Sequence, residues 1–470
     1  MQKQGVMAMT TVLTDFSSQL KLALTGRHDV TFVYLNNFEV EQYWEDPEIL
    51  KLPSLSIGSA ADVVHRMEEL GVFLAGDQDI VLLKSLPSPD FISAAQALGF
   101  CRSRYIAPVH NNPGLNITAS LLQCSATMDK LRELAQTAES PVFLVPFGTS
   151  EQEEELSHLT GIPLAVPSSM IFRQVNDKGY SRRLNKRLDI RQIPGVECAS
   201  LEELASGFEQ LKFVLEQGGR LVLKDSMGVS GKGITVIPDE ARFQKCMSML
   251  EKQAGKKGIR KINYVLEQWI DKICDLNYQI LIDQSGGVEF LGVKESLVEQ
   301  GVHQGHLMPS RLSEAQLGVI REAAIRIGEA LYQDGYYGIA GMDAILDEDG
   351  TIWPNLEINA RFNMSTYQLN IQQQYLPDGY YGLAKKYTLR LHRLLEYKEL
   401  HAMLGEWMFR PENGEGLLIN NFATVNAAFK SEGTIFSGRL YGIIIGSSPE
   451  RLAVLDEAVE AALSSINEVR

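Results

Sequence analysis

Along the first third of the chain, short apolar runs alternate with stretches whose apolar residues recur at helical spacing. Residues 29–35, 79–83, 141–146 and 162–166 read as buried strands. Between them, 60–70, 90–98 and 125–135 place apolar side chains three and four positions apart, as helices with one buried stripe do. Such alternation predicts a parallel sheet covered by helices. From Pro167 the pattern changes. A basic stretch with Arg182, Arg183, Lys186 and Arg187 precedes a helix over about 200–217, and a strand–glycine loop–strand unit covers 220–237. Strands are expected at 262–269, 278–282 and 288–293. Ser313 and Gln316 form a capping-box signature ahead of Leu317, Ile320, Ala324, Ile327 and Leu331, which predicts a helix. Residues 342–359 read as a hairpin turning at Asp349-Gly350. The tail after about His401 is again α/β: a strand at 439–445, then a helix opened by Ser448-Pro449 with Leu452, Leu455, Val459, Leu463 and Ile466 on one face.

Composition narrows the class. The 470 residues include 44 Lys plus Arg and 59 Asp plus Glu, a net charge of −15. That balance excludes general nucleic-acid binding, which needs a basic surface, but leaves room for an anionic ligand in a local basic pocket. No apolar run reaches the roughly 18–20 residues of a bilayer span, and the opening MQKQGVMAMTTVL lacks a signal-peptide layout. The 5 cysteines are odd in number, widely spaced and never CxxC, so they read as reduced thiols. A cytoplasmic protein without membrane contact is expected.

Three segments carry candidate chemistry. In LVLKDSMGVSGKGITVI (221–237), Lys224 ends a strand, and Ser226, Gly228, Ser230, Gly231, Lys232 and Gly233 follow. Glycines let backbone N–H groups approach phosphate oxygens, and hydroxyls and lysines add donors and charge. The spacing is neither a Walker A loop nor a dinucleotide loop; a plain hairpin loop is the alternative. In GMDAILDEDGTIWPNLEINARF (341–362), Glu357, Asn359 and Arg361 alternate onto one strand face, with Asp343 on the partner strand. Two carboxylates and an amide oxygen suit Mg²⁺, whereas a solvated hairpin face is the bland reading. In YVLEQWIDKICDLNYQILI (264–282), Glu267 closes an apolar strand, Trp269 and Ile270 suit a planar base, and Asp275 suits a ribose hydroxyl. A strand end with a partly buried Trp is the alternative there.

In this order along the chain, these segments resemble the ATP-grasp superfamily, which includes D-alanine–D-alanine ligase, biotin carboxylase and many carboxylate–amine ligases. The resemblance covers about 167–395 and also rests on NKRLDIRQIPGV (185–196). It implies an α/β ATP-grasp fold, two α+β subdomains clamping ATP. Residues 1–166 would form a Rossmann-like pre-ATP-grasp domain, 167–395 the catalytic domain and 396–470 a small C-terminal α/β domain. It implies that Lys186 and Lys224 contact ATP phosphates, that the loop 228–233 folds over them, and that Glu267, Trp269 and Ile270 form the adenine hinge with Asp275 at the ribose. Asp343, Glu357 and Asn359 match magnesium ligands, with Mn²⁺ an acceptable substitute. Arg361 and Lys294 are the catalytic candidates, Lys294 as a third phosphate contact. Two positions depart from the pattern. Asp225 stands where proline is usual, and Gly341 where D-alanine–D-alanine ligases carry an arginine, which passes that role to Arg361 or another cation and argues against that activity.

The chemistry implied is carboxylate activation as an acyl phosphate, with ADP released and an amine displacing phosphate. The flanks, YLNNFEVEQYW (34–44) and the βα unit 438–463, resemble pheganomycin-type peptide ligases of antibiotic pathways and a butirosin-pathway ligase that loads glutamate onto an acyl carrier protein. Amino-acid or peptide substrates are expected, with a carrier-protein thiol as the alternative acceptor and a non-catalytic ATP-binding scaffold as the second alternative. For the carrier, Arg182, Arg183, Lys186, Arg187 and the 252–261 stretch supply basic residues. Many superfamily ligases dimerise, so a homodimer is the resemblance's expectation. His303, Gln304 and His306 are expected in a loop over the substrate, with Arg311 available to a substrate carboxylate; Asn36, Asn37, Glu39 and Glu41 are expected to be structural.

Overall fold

The computed structural model describes residues 15–52, 59–110, 112, 114–228, 233–299 and 302–468. Among them, three sheets organise the chain. The first contains β1 (Thr31–Leu35), β2 (Ile80–Leu82), β3 (Arg104–Ile106) and β4 (Val142–Pro146), in the order β3-β2-β1-β4 and parallel throughout. β1 is buried on both faces: Phe32 and Tyr34 point into the main core, Val33 and Leu35 into a second cluster beneath the covering helices. The expected strand at 162–166 reduces to a single parallel bridge between Leu144 and Leu164. Pro163 has no N–H to donate, so the ladder stops after Leu144 N–H bonds its carbonyl and Ala165 N–H returns to Leu144.

The second sheet holds β5 (Gly195–Ser200), β6 (Arg220–Asp225), β7 (Ile234–Ile237) and β8 (Lys261–Trp269), ordered β5-β8-β6-β7 and antiparallel. Leu221, Leu223, Tyr264 and Leu266 bury one face against the helices Leu201–Glu216 and Glu240–Lys257, where Phe208 and Phe243 stack at 3.8 Å. This core is separate from the main one. By alternation, the other face presents Lys224 and Glu267.

The central sheet runs β13-β12-β9-β10-β11-β14-β16-β15, all antiparallel, from β9 (Lys272–Ile282), β10 (Val288–Glu299), β11 (Val302–Met308), β12 (Gly338–Asp347), β13 (Ile352–Asn359), β14 (Tyr381–Leu391), β15 (Gly416–Asn421) and β16 (Phe436–Gly446). Ser313 and Gln316 form the expected reciprocal cap on the helix Glu314–Gln333, which buries Ile320, Ala324, Ile327 and Leu331 against β9 and β10. The β12–β13 hairpin turns at Gly350, whose φ of 79° favours glycine. The C-terminal segment has the expected strand and helix, Pro449–Glu468, yet it has no sheet of its own. β15 and β16 extend the central sheet beyond β14, and Ile443, Ile444 and Ile445 join the main core. Among the described residues no helix is long and apolar enough to cross a membrane.

Candidate active site

The central sheet brings distant polar residues into one row. Glu357 on β13 stands opposite Asp343 on β12, Asp343 opposite Asn277 on β9, and Asn277 opposite Lys294 on β10. Residues paired across strands point to the same face, so these four side chains line up side by side. Asn359 lies opposite Gly341 in the next row. Asp343 accepts hydrogen bonds from Asn277 Nδ2 at 2.9 Å and Asn359 Nδ2 at 3.1 Å. Desolvation, and after it the charge of Glu357, nevertheless pushes the Asp343 carboxyl up to about 6. Lys294 is 5% exposed, and burial pulls its ammonium down to about 7. A side chain at Gly341 would meet Asn363 Nδ2 at 2.0 Å, so an arginine there would have to displace Asn363. Arg361 approaches from just beyond β13 instead, donating to Asn359 Oδ1 at 2.8 Å.

Two further groups close over this row. Lys178 opens the helix Lys178–Arg187 behind its N-cap, Asp177, which accepts from Tyr180 N–H. Its ammonium pairs with Glu357 at 2.8 Å and donates to Gly228 O at 2.6 Å, tying the β12–β13 hairpin to the entry of the glycine loop. From the N-terminal body, Glu41 pairs with Arg361 at 2.5 Å, and the guanidinium lies over the Phe147 ring. Glu41, Trp44, Lys178, Gly228, Glu357 and Asn359 line one small cleft.

On the second sheet, Lys224 and Arg182 both pair with the buried Glu267, Arg182 at 3.0 Å. Asp225, the departure from proline, shapes the loop entry: its carboxylate accepts from Met227 N–H at 3.0 Å and pairs with Lys51 at 3.2 Å. Arg220 and Lys272 hold their charges 5.6 and 5.9 Å from the centre of the Trp269 ring.

With that geometry in place, comparison with known proteins is decisive. Residues 177–367 match the family described as carbamoyl-phosphate synthase L chain, ATP binding domain, and residues 67–162 match the pre ATP-grasp domain. The chain belongs to the ATP-grasp superfamily of ligases. A curated relative, the [butirosin acyl-carrier protein]–L-glutamate ligase of Niallia circulans, is 28% identical over 319 residues, covering 67% of this chain and 69% of that one. The carbamoyl phosphate synthase large chain of Xylella fastidiosa is 24% identical over 241 residues, 50% of this chain but 21% of that one. Biotin carboxylase from Campylobacter jejuni, solved as a complex with a β,γ-ATP compound, shares the fold with a TM-score of 0.55 at 15% identity. The match covers 93% of this chain and 95% of that chain. N5-carboxyaminoimidazole ribonucleotide synthetase, solved with ADP, gives 0.53 at 13% identity over 93% and 98% of the two chains.

Within this ATP-grasp framework the structure redistributes several expected roles. Asp343, Glu357, Asn359 and Arg361 converge, as the hairpin motif implies. Lys186 does not join them. It sits eight residues along the helix from Lys178, about 12 Å away at 1.5 Å per residue, and is exposed. Lys178, unremarked in the sequence, takes the place beside the glycine loop. Gly228 and Gly233 flank that loop, Gly233 at φ 83°, whereas Ser230, Gly231 and Lys232 lie outside the described residues. Glu267 faces two cations rather than a free hinge edge, and Trp269 and the half-buried Ile270 follow it. Asp275 pairs with Lys272 at 2.5 Å.

The expected substrate loop is strand β11 of the central sheet: His306 is paired to both β10 and β14, His303 to β10, and Gln304 lies at the bulge between them. His306 is 3% exposed and donor-linked to its neighbours, so it forms part of the sheet rather than a lid. Arg311 pairs with Glu295 through Nε and Nη2, while its side chain is largely exposed. Glu41, expected to be structural, reaches the cleft; only tertiary packing of the N-terminal body onto Arg361 reveals it.

Proposed function

We propose that the protein is an ADP-forming ligase that activates the carboxylate of an amino acid or peptide with ATP and joins it to an amine. The observation that carries this reading is that Lys178, Glu357 and Asn359 line one cleft beside Gly228, with Asp343 and Arg361 directly behind them, paired to Glu357 and bonded to Asn359. A substrate carboxylate oxygen attacks the γ-phosphorus, the bond to the β,γ-bridging oxygen breaks, and ADP leaves. The amine nitrogen then attacks the acyl phosphate carbonyl, loses a proton, and phosphate departs. Lys178, beside Gly228 O, supplies positive charge for phosphate oxygens, and Arg361, beside Asn359, supplies it for the developing oxyanion. The acyl phosphate must be kept from water, which would hydrolyse it before the amine attacks.

Asp343, Glu357 and Asn359 fit Mg²⁺: their donors are oxygen, and a divalent cation would offset the burial, and after it the Glu357 charge, that lift the Asp343 carboxyl. When bound, the metal supplies charge neutralisation on the transferred phosphoryl group. A pH dependence follows. The Asp343 carboxyl titrates near 6 in the fold against an ordinary 3.8, so between these values the folded chain binds more protons than the unfolded one. Stability from this site therefore falls as pH rises through the window, and the cost is complete above about 6. Added Mg²⁺ is expected to raise the melting temperature at about pH 7.5 and much less at about pH 5, because metal binding needs the carboxylate ionised. Scanning fluorimetry at both pH values checks this; equal shifts would contradict it.

A second reading, thioester formation on a carrier protein, is favoured by similarity to the butirosin-pathway ligase. The basic stretch expected to meet an acidic carrier is, however, largely paired within the chain: Arg182 with Glu267, Arg183 with Glu197, Arg187 with Asp334. The deciding experiment incubates the protein with Mg·ATP, a panel of amino acids and short peptides, and either hydroxylamine or a phosphopantetheinylated carrier. ADP with hydroxamate from particular acids supports the ligase. Carrier acylation that outcompetes amine transfer moves the assignment to the second reading, and AMP in place of ADP overturns both.

A further inference from the structure

Behind the cleft, the segment after β13 lays Ser365 and Gln368 over the row formed by Asp343, Asn277 and Lys294. We infer that Ser365, His306 and Gln368 are positioning residues that fix the ligating face of Asp343 through a one-directional chain of hydrogen bonds running from Lys294. The inference rests on the reading of Asp343 as a metal ligand.

The direction of every bond follows from its neighbour. Asn277 gives its Nδ2 to Asp343 Oδ1 at 2.9 Å, so its Oδ1 is the end left for Ser365, whose hydroxyl donates to it at 2.8 Å. A serine hydroxyl has one proton. Toward His306 Nε2, 3.1 Å away, Ser365 Oγ therefore accepts, and His306 carries its proton on Nε2. The same N–H faces His303 Nε2 at 3.2 Å, which must then be bare. The bare Nδ1 of His306 receives Gln368 Nε2 at 3.3 Å, and this orients Gln368 Oε1 toward Lys294 Nζ at 2.9 Å. Asn277, Ser365, His306, Gln368 and Lys294 are each at least nine-tenths buried, so water offers no substitute partner. Burial, with the nearby His303 and Lys294, holds His306 well below its ordinary range and hence neutral, as the chain requires.

Breaking the chain at Ser365 leaves Asn277 Oδ1 without its donor. The amide is then free to turn its oxygen toward Asp343, where two acceptors repel. Partners that orient metal ligands typically contribute 10–100-fold in affinity, so Ser365→Ala is expected to weaken metal binding about tenfold.

The test titrates Mn²⁺ into the full chain in the presence of ADP and follows free Mn²⁺ by electron paramagnetic resonance, for wild type, Ser365→Ala and Glu357→Gln. Wild-type binding that is lost in Glu357→Gln and weakened about tenfold in Ser365→Ala supports the inference. Binding by Ser365→Ala within about twofold of wild type overturns it while leaving the metal site intact. Failure of wild type to bind, or indifference to Glu357→Gln, removes the metal reading and the inference with it. A spectroscopic readout independent of the Ser365 variant's folding is the ¹⁵N spectrum of wild-type histidines, with His306 assigned by its loss in His306→Gln. The Nε2–H tautomer is expected, and an Nδ1–H or doubly protonated ring overturns the chain.

Discussion

Glu357→Gln is expected to lower turnover at least about 10³-fold while leaving a folded chain that still takes up nucleotide. The side chains have nearly the same shape, so the change removes charge and little else. That charge has two uses. It faces Asp343 across the β12–β13 ladder, and it pairs with Lys178 at 2.8 Å. Its loss deprives a cation of one of two carboxylates and releases the lysine from its place between the hairpin and the glycine loop. The effects on stability oppose each other. Asp343 is relieved of a like charge, and Lys178, with a side chain 6% exposed, loses its ionic partner. Circular dichroism and ADP-release kinetics on the same preparation separate folding from chemistry. A folded variant retaining more than about a tenth of wild-type turnover would sink the assignment of Glu357 as a metal ligand. A scaffold without catalysis predicts a different pattern, with no turnover in wild type and partner interactions indifferent to the substitution.

The parts of the fold written in local sequence are the parts that periodicity reaches. The β12–β13 hairpin alternates polar and apolar residues around Asp349-Gly350, and the helix Glu314–Gln333 announces its start with Ser313 and Gln316. Strand β11 was hidden by its composition. Two histidines, a glutamine and Gly305 read as a loop, yet a Cβ at Gly305 would meet the Ala384 carbonyl oxygen of β14 at 1.8 Å. There glycine marks a close strand approach rather than a turn, and the polar side chains are paid for by a hydrogen-bonded network that no linear pattern displays. The junction of Glu41 with Arg361 spans 320 positions and is likewise beyond local reading. The superfamily motifs fared better because each is a short run whose chemistry is carried by neighbours in one strand or loop. Where several candidates of one type crowd together, as with the cations between Lys178 and Arg187, residue type alone does not choose among them.

That choice yields the second large effect. Lys178→Met is expected to reduce kcat/KM for ATP by about 10²–10³, whereas Lys186→Met stays within about twofold of wild type. The two lysines share a helix, and their difference is positional. Lys178 follows the N-cap Asp177, and its backbone N–H bonds the Ser226 carbonyl, docking the first turn against the end of β6. From there its ammonium reaches Gly228 O and Glu357 together. Lys186, in the last turn, is exposed and stands where a cation complements the helix C-terminus, a surface contribution of a few tenths of a kcal/mol. The signal available in the sequence was Asp177-Lys178-Gly179. An N-cap aspartate fixes where the helix begins, and a Cβ at Gly179 would meet the Glu197 carboxylate at 2.6 Å, so this first turn packs closely against β5. Steady-state ADP release across ATP concentrations, with hydroxylamine as acceptor, reads both variants in one assay. The reverse ranking would return the phosphate-contact role to Lys186 and make the Lys178–Glu357 pair a structural tie.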